Sequence, residues 1–417
     1  MEQARLPTAR WWRLIPIVFI TYSLAYLDRA NFGFGMAGGM QKDLAISKDQ
    51  ISLLGALFFL GYFIFQIPGV YAAIRSARRL IFWSLLLWGA LAAATGIVTG
   101  VRWLMLIRFL LGVVEGAIFP SMLVLLSRWF VRSERSRANS LLIFGNPVTI
   151  IWMNISSGYI VNALGWRWMF IVEGIPAIIW AFCWLYFVED QPEKALWMPP
   201  QELAALQTTL RDEQQGIPPV GNFLAACRSP AVWVLCLIYA LWSLPVYGFV
   251  LWLPSILRHT PKVGIVGTGW LSAIPFFLAI IAMMAASWFS DSTGNRRIAV
   301  WPFLLLGAVA FFFCWLYGPG HFLLTFTLLC LAGLSLYAPY GPFFALITEF
   351  LPANVAGGAI ALINSLGALG AFVGIYIVGD LSGAAGNFHN AYIFLSASLL
   401  PAALLSMTLP SKLRPTV

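Results

Sequence analysis

Apolar stretches of about 20 residues recur along this 417-residue chain between short polar breaks, and few folds tolerate that pattern. A hydrocarbon core roughly 30 Å thick needs a helix of that length to cross it. Twelve stretches are long enough, at about 14–36, 51–73, 80–99, 103–127, 138–161, 168–188, 230–257, 266–289, 298–317, 321–348, 355–377 and 388–409. Lipid cannot satisfy free backbone N–H and C=O groups, so only helices and closed β-barrels span it. The alternating segments of a barrel are absent, and 60% of residues are hydrophobic against 10% charged. The sequence predicts an all-α membrane protein of twelve transmembrane helices.

One polar interruption is much longer than the others. It divides the chain into an N-terminal six-helix bundle (1–188), a cytoplasmic central loop (189–229) and a C-terminal six-helix bundle (230–417). Within the loop, Gln201 to Gln215 reads either as a short amphipathic surface helix or as a solvated linker. The bundles look related. Ser287-Trp288-Phe289-Ser290-Asp291-Ser292-Thr293-Gly294-Asn295-Arg296-Arg297 follows the eighth stretch, and a worn copy follows the second. The copy keeps Arg75, Arg78 and Arg79 but has Ile74 and Ala77 at the acid and glycine positions. Pseudo-symmetric six-helix halves with such loops are a transporter plan, with the site near the bilayer midplane between them.

A net charge of +9 suggests a nucleic-acid partner until the basic residues are placed on this topology. With both termini in the cytoplasm, 17 Lys and Arg fall inside and six outside, and Arg29 and Arg108 lie within helices. That is the positive-inside bias, so the charge reports orientation and no nucleic acid is expected. The apolar run after Arg5, Arg10 and Arg13 is too long for a signal core and lacks a small-x-small cleavage site, so the first helix is expected to be retained. Cys183, Cys227, Cys236, Cys314 and Cys330 show no CxxC spacing and read as packing residues.

Charge inside such a chain needs a reason, because one charged residue at the centre of a membrane helix costs about 2.5–3.5 kcal/mol on insertion scales. Asp28 and Arg29 stand side by side in the first stretch, and Arg108 and Glu115 in the fourth. Stretches 7 to 12 hold no comparable residue, since Glu349 and Asp380 sit at their ends. Seven positions put Arg108 and Glu115 on one helix face but roughly 10 Å apart, so their partners are expected from the first helix. The four charges sum to zero. Adjacent helix positions point about 100° apart, so Asp28 and Arg29 face different neighbours. A guanidinium fork binds a carboxylate through two parallel hydrogen bonds. A neighbouring acid exchanges a proton when a substrate anion claims the arginine. The alternative is a neutral network that only ties helices together, which apolar packing does as well. Gln66 and Asn146 read as cavity residues or interhelical glue, Trp152 and Tyr247 as packing, and Glu173 as a local cap or pair six residues past Arg167.

These residues resemble the major facilitator superfamily, and within it the anion:cation symporter family of organic-anion permeases. The resemblance covers nearly the whole chain. It rests on Tyr26-Leu27-Asp28-Arg29-Ala30-Asn31, Gln66-Ile67-Pro68-Gly69, Arg108 with Glu115-Gly116-Ala117-Ile118-Phe119-Pro120, Trp166-Arg167-Trp168-Met169-Phe170 and Asp190-Gln191-Pro192. It implies a carrier of the bacterial inner membrane that imports a small organic carboxylate, such as a sugar acid, by proton symport through alternating access. By that resemblance Asp28 and Glu115 fall on proton-coupling acids, Arg29 on the carboxylate binder, and Tyr26 and Tyr62 on polar groups near the substrate. Arg108 falls on an arginine tied to those acids and Asn364 on a hydroxyl-binding asparagine. The hydroxyl-binding cluster of galactonate carriers falls on Gly341, Phe343 and Phe344, with Tyr340 adjacent, a less polar pocket open to aromatic or deoxy acids. Asp291, Gly294, Arg296, Arg297, Arg75 and Arg79 are the expected gating loops. The expected partners are the organic anion, the proton and the bilayer. The carrier is expected to be monomeric, with no cofactor beyond the coupling proton and no enzyme chemistry. Phosphate- or anion-linked exchange is the nearest alternative, and a non-transporting membrane sensor a more distant one.

Overall fold

The computed structural model describes residues 8–215, 227–228, 230–258, 263–318, 321–350, 353–382 and 388–409. Among them there are helices and no strand. Helix α1 (Ala9–Gly35) runs into a π-helical stretch, Met36–Met40. Helix α2 (Lys48–Ile97) opens on a capping box between Ser47 and Gln50 and is broken at Ser76, where the backbone becomes extended (φ −160°, ψ 100°). The first half continues with α3 (Val101–Glu115), α4 (Ile118–Trp129), α5 (Arg132–Ile143), α6 (Gly145–Leu164) and α7 (Trp166–Phe187). Next comes α8 (Pro200–Gln215), which covers the stretch read as surface helix or linker and is a helix with Leu206 fully buried. The second half holds α9 (Pro230–Arg258), α10 (Ile265–Thr293), α11 (Trp301–Tyr317), α12 (Phe322–Tyr337), α13 (Tyr340–Phe350), α14 (Ala353–Ser382) and α15 (His389–Thr408).

Eleven segments among the described residues are long and apolar enough to cross a membrane. Two of them come from α2, Asp49–Gly69 and Tyr71–Ile97. The expected first stretch, 14–36, is not among the eleven. Its helix α1 has 27 residues, roughly 40 Å at 1.5 Å each, which is length enough. Its composition sets it apart, since Arg10, Arg13 and the Asp28-Arg29-Ala30-Asn31 string interrupt the apolar run.

In the first half α2 packs on α3, α4 and α7, while α1 packs on α6 and α7. In the second half α9 packs on α14 and α15, and α10 and α11 on α12. The halves are joined mainly through α2 with α14, α6 with α10, and α1 with α9. At the end of the bundle away from Arg10 the backbones nearly touch. A Cβ on Gly33 would lie 2.2 Å from the Leu251 carbonyl oxygen, and one on Gly269 2.4 Å from that of Asn154. Glycine is what permits both approaches, and that end is closed.

Candidate functional site

Helical periodicity assembles the site. Tyr22, Tyr26 and Arg29 recur at i, i+4 and i+7, on one face of α1. Arg29 is buried, and its Nε donates to Glu115 Oε2 on α3 at 3.0 Å. Its guanidinium carbon lies 4.7 Å from the ring centre of Tyr62, 5.3 Å from Tyr26 and 5.8 Å from Phe58. Aromatic faces hold a desolvated cation by about 2 kcal/mol. Its Nη2 is also buried and makes no hydrogen bond. An unmatched buried donor costs about 1–3 kcal/mol until something accepts from it. The partner of Glu115 thus comes from the first helix, as the residue that also faces the cavity.

Arg108 is 1% exposed, donates from Nε to the Leu54 carbonyl at 3.4 Å, and lies 4.3 Å from the Phe32 ring centre and 5.1 Å from that of Phe58. Phe58 therefore packs against both arginines. The side chains of Asp28 and Asp291 lie outside the described residues.

Arg29 opens onto a cavity between the halves. Its other walls are Tyr22, Phe59, Tyr62, Phe119, Ile143 and Asn146 from the first half, and Tyr239, Tyr247, Tyr340, Phe344, Asn364, Gly367 and Ala368 from the second. The space amounts to about 520 Å³, its mouth included. Eight of these fourteen residues are aromatic, and Arg29 is the charged one. The second-half wall depends on Gly367, where a Cβ would come 2.3 Å from Tyr239 Cε1. Asn364, Gly367 and Ala368 share a face of α14 at i, i+3 and i+4.

The sequence reading placed Arg29, Tyr62, Asn146, Asn364, Tyr340 and Phe344 at the site, and all six line the cavity. Three others sit elsewhere. Tyr26 lies behind Arg29 with 1% exposure. Phe343 is fully buried and stacks on Tyr239, with ring centres 5.7 Å apart, so it backs the wall rather than forming it. Gln66 accepts a hydrogen bond from Ser365 Oγ at 3.1 Å and ties α2 to α14. Tyr247, read as packing, is instead a wall residue that meets Phe59 across the halves at 4.6 Å. Tyr22, Phe59, Phe119, Ile143, Tyr239, Gly367 and Ala368 were missed. The register shared by Tyr22, Tyr26 and Arg29 was the available signal for Tyr22.

Glu173 is the larger correction. Rather than pairing locally with Arg167, it is buried and accepts from Asn31 Nδ2 at 2.9 Å and from Ser157 Oγ at 2.6 Å. It thereby joins α1, α6 and α7. Arg167 turns to the carbonyls of Gly96 (3.2 Å) and Val98 (2.6 Å). Among the described residues the buried charges are Arg10, Arg29, Arg108, Glu115 and Glu173, all in the first half.

The arginine loops are built unequally. Arg75 and Arg79 are exposed, and it is Arg78 that reaches Glu189 Oε2 at 3.0 Å. The acid missing from that worn motif is supplied by Asp190, which accepts from Ser76 Oγ at 2.5 Å and from the Arg78 backbone N–H at 2.8 Å. Arg128 approaches Asp190 at 3.6 Å. In the second half Gly294 caps α10 in the left-handed region (φ 62°), Arg296 donates to Ser290 Oγ at 3.1 Å and Arg297 to the Leu409 carbonyl at 3.1 Å.

Comparison with known proteins agrees with this architecture. The sequence profile of the Major Facilitator Superfamily matches residues 18–375. A putative tartrate transporter of Agrobacterium vitis is 30% identical over 98% of this chain and 92% of its own length. The inner membrane transport protein RhmT of Escherichia coli (strain K12) is 30% identical over 87% of this chain and 85% of its own. Among solved structures, a D-xylose-proton symporter superposes with a TM-score of 0.77 at 15% identity, covering 96% of this chain and 98% of that one. That likeness is one of fold.

Proposed function

Because the chain belongs to the Major Facilitator Superfamily, whose members carry solutes and are not enzymes, we propose that it imports a small organic carboxylate by proton symport. The membrane is the bacterial inner membrane, with both termini cytoplasmic. The named functions of its relatives support an organic acid. The observation that carries the reading is Arg29, which lines a cavity between the halves, is held by Glu115 at 3.0 Å, and has its Nη2 buried without a hydrogen-bond partner.

The geometry makes a two-step exchange. A substrate carboxylate accepts from Nη2 and draws the guanidinium toward the cavity, stretching the bond to Glu115. Glu115 is then a buried carboxylate with less counter-charge, a state that a proton neutralises. Asp28, next to Arg29 in the chain, serves as the second coupling acid, and Arg108 holds the network from α3. The neutralised, loaded site lets the halves rock about it, with the Gly33 and Gly269 contacts opening as the other end closes. A phosphate dianion calls for a second cation, and Arg29 is the charged residue among the described lining.

The test is uptake of labelled small acids into proteoliposomes under an imposed pH gradient with no phosphate inside. Accumulation of at least about tenfold, abolished by a protonophore, is the expected result. Uptake that appears only with trans phosphate or another trans anion means exchange.

A further inference from the structure

We propose that the acid carried is a planar, single-ring aromatic monocarboxylate, an assignment that rests on the transport reading above. Charge sets the first limit. Arg29 is the charged group of the described lining, and its Nε is taken by Glu115 at 3.0 Å. Nη2 remains for the ligand, which matches one carboxylate. A dicarboxylate would leave its second anionic group among aromatic rings, buried without a counter-charge.

The walls set the second limit. Tyr340 and Phe344 present nearly parallel rings 6.3 Å apart, Tyr239 meets Tyr340 edge-on at 6.3 Å, and Phe59 meets Tyr247 across the halves at 4.6 Å. A ligand ring joins this array through offset and edge-to-face contacts, which add a quadrupole attraction beyond the area they bury. Gly367 holds the array in place by making room for Tyr239.

Hydrogen bonding sets the third. Apart from Arg29, Asn146 and Asn364 are the non-aromatic polar residues of the described lining. With the tyrosine hydroxyls they suit a ring substituent. A sugar acid would also lay hydroxyls against Phe59, Phe119 and Phe344, which offer none a partner.

Counterflow of labelled 4-hydroxybenzoate into proteoliposomes tests this, with the leak of protein-free vesicles subtracted. Unlabelled benzoate, cyclohexanecarboxylate, gluconate and tartrate are the competitors. Saturable counterflow is expected, with benzoate competing at least about tenfold better than cyclohexanecarboxylate, which shares its carboxylate and size but has no π face. Gluconate and tartrate should compete weakly. Phe344→Leu should narrow the gap between the two ring acids. Equal competition by the two, or preference for gluconate or tartrate, overturns the aromatic assignment. If gluconate or tartrate alone accumulates under the pH gradient, the transport reading stands and this assignment falls. If no acid of the panel moves, both fall.

Discussion

Arg29→Gln should weaken ligand binding by one to two orders of magnitude and lower the unfolding temperature, and adding Glu115→Gln should restore the second property but not the first. The two effects have different physical sources. Removing one partner of a buried ion pair is strongly destabilising, by about 3–5 kcal/mol, because the other charge stays in a low-dielectric interior. Glu115 is 0% exposed, and the Arg29 guanidinium is a partner at 3.0 Å. Neutralising both ends removes that penalty, so the double variant should unfold near the wild-type temperature. Binding depends on the cation itself. A charge-assisted hydrogen bond contributes about 1.5–3 kcal/mol, so losing it should weaken carboxylate binding by roughly 10- to 150-fold. Thermal unfolding of the four proteins, each with and without the acid panel, separates the two effects. A double variant that binds as tightly as wild type would show that the carboxylate is recognised elsewhere.

Gly33→Ala and Gly112→Ala should fail in different ways, although both bring a Cβ into a carbonyl. At Gly112 the obstacle is Phe58 O at 1.8 Å, within the first half, so the clash is present in every state of the carrier. That variant should lose stability, by about 1–3 kcal/mol or more. At Gly33 the obstacle is Leu251 O across the halves, at 2.2 Å. The clash there exists only while the end away from Arg10 is closed, and it vanishes when the halves part. The same strain then acts on a conformational equilibrium, shifting it toward the opened state by about 5- to 150-fold for 1–3 kcal/mol. A cysteine placed near Leu251 should react faster with a membrane-impermeant thiol reagent in Gly33→Ala, with net transport reduced and the folded fraction preserved. Unchanged reactivity would show that the seam does not open.

Much of the fold was legible because lipid leaves so few options. Run length alone marks helices, and the long polar break before Pro230 separates two sets of them. The kink at Ser76 was not legible, since its cause is Asp190, more than a hundred residues downstream, which accepts from both the Ser76 hydroxyl and the Arg78 amide. Within the site, the Arg29–Glu115 pair could be anticipated because charge is scarce and helix spacing keeps Arg108 and Glu115 apart. Glu173 was misread for the opposite reason. Its partners, Asn31 and Ser157, are neutral, and charge arithmetic does not reveal them. The aromatic walls were half visible. Tyr340 and Phe344 stood out by their place in a matched motif, whereas Tyr22, Tyr239 and Tyr247 sit in apolar helices where a ring reads as packing.

The most direct test of proton coupling through this pair compares wild type with Glu115→Gln in proteoliposomes, measuring gradient-driven accumulation and counterflow of the same acid. Counterflow requires binding and the rocking of the halves but no net proton movement. The expected outcome is counterflow within a few-fold of wild type and no accumulation above equilibrium under a pH gradient. Accumulation equal to wild type in Glu115→Gln would contradict the account.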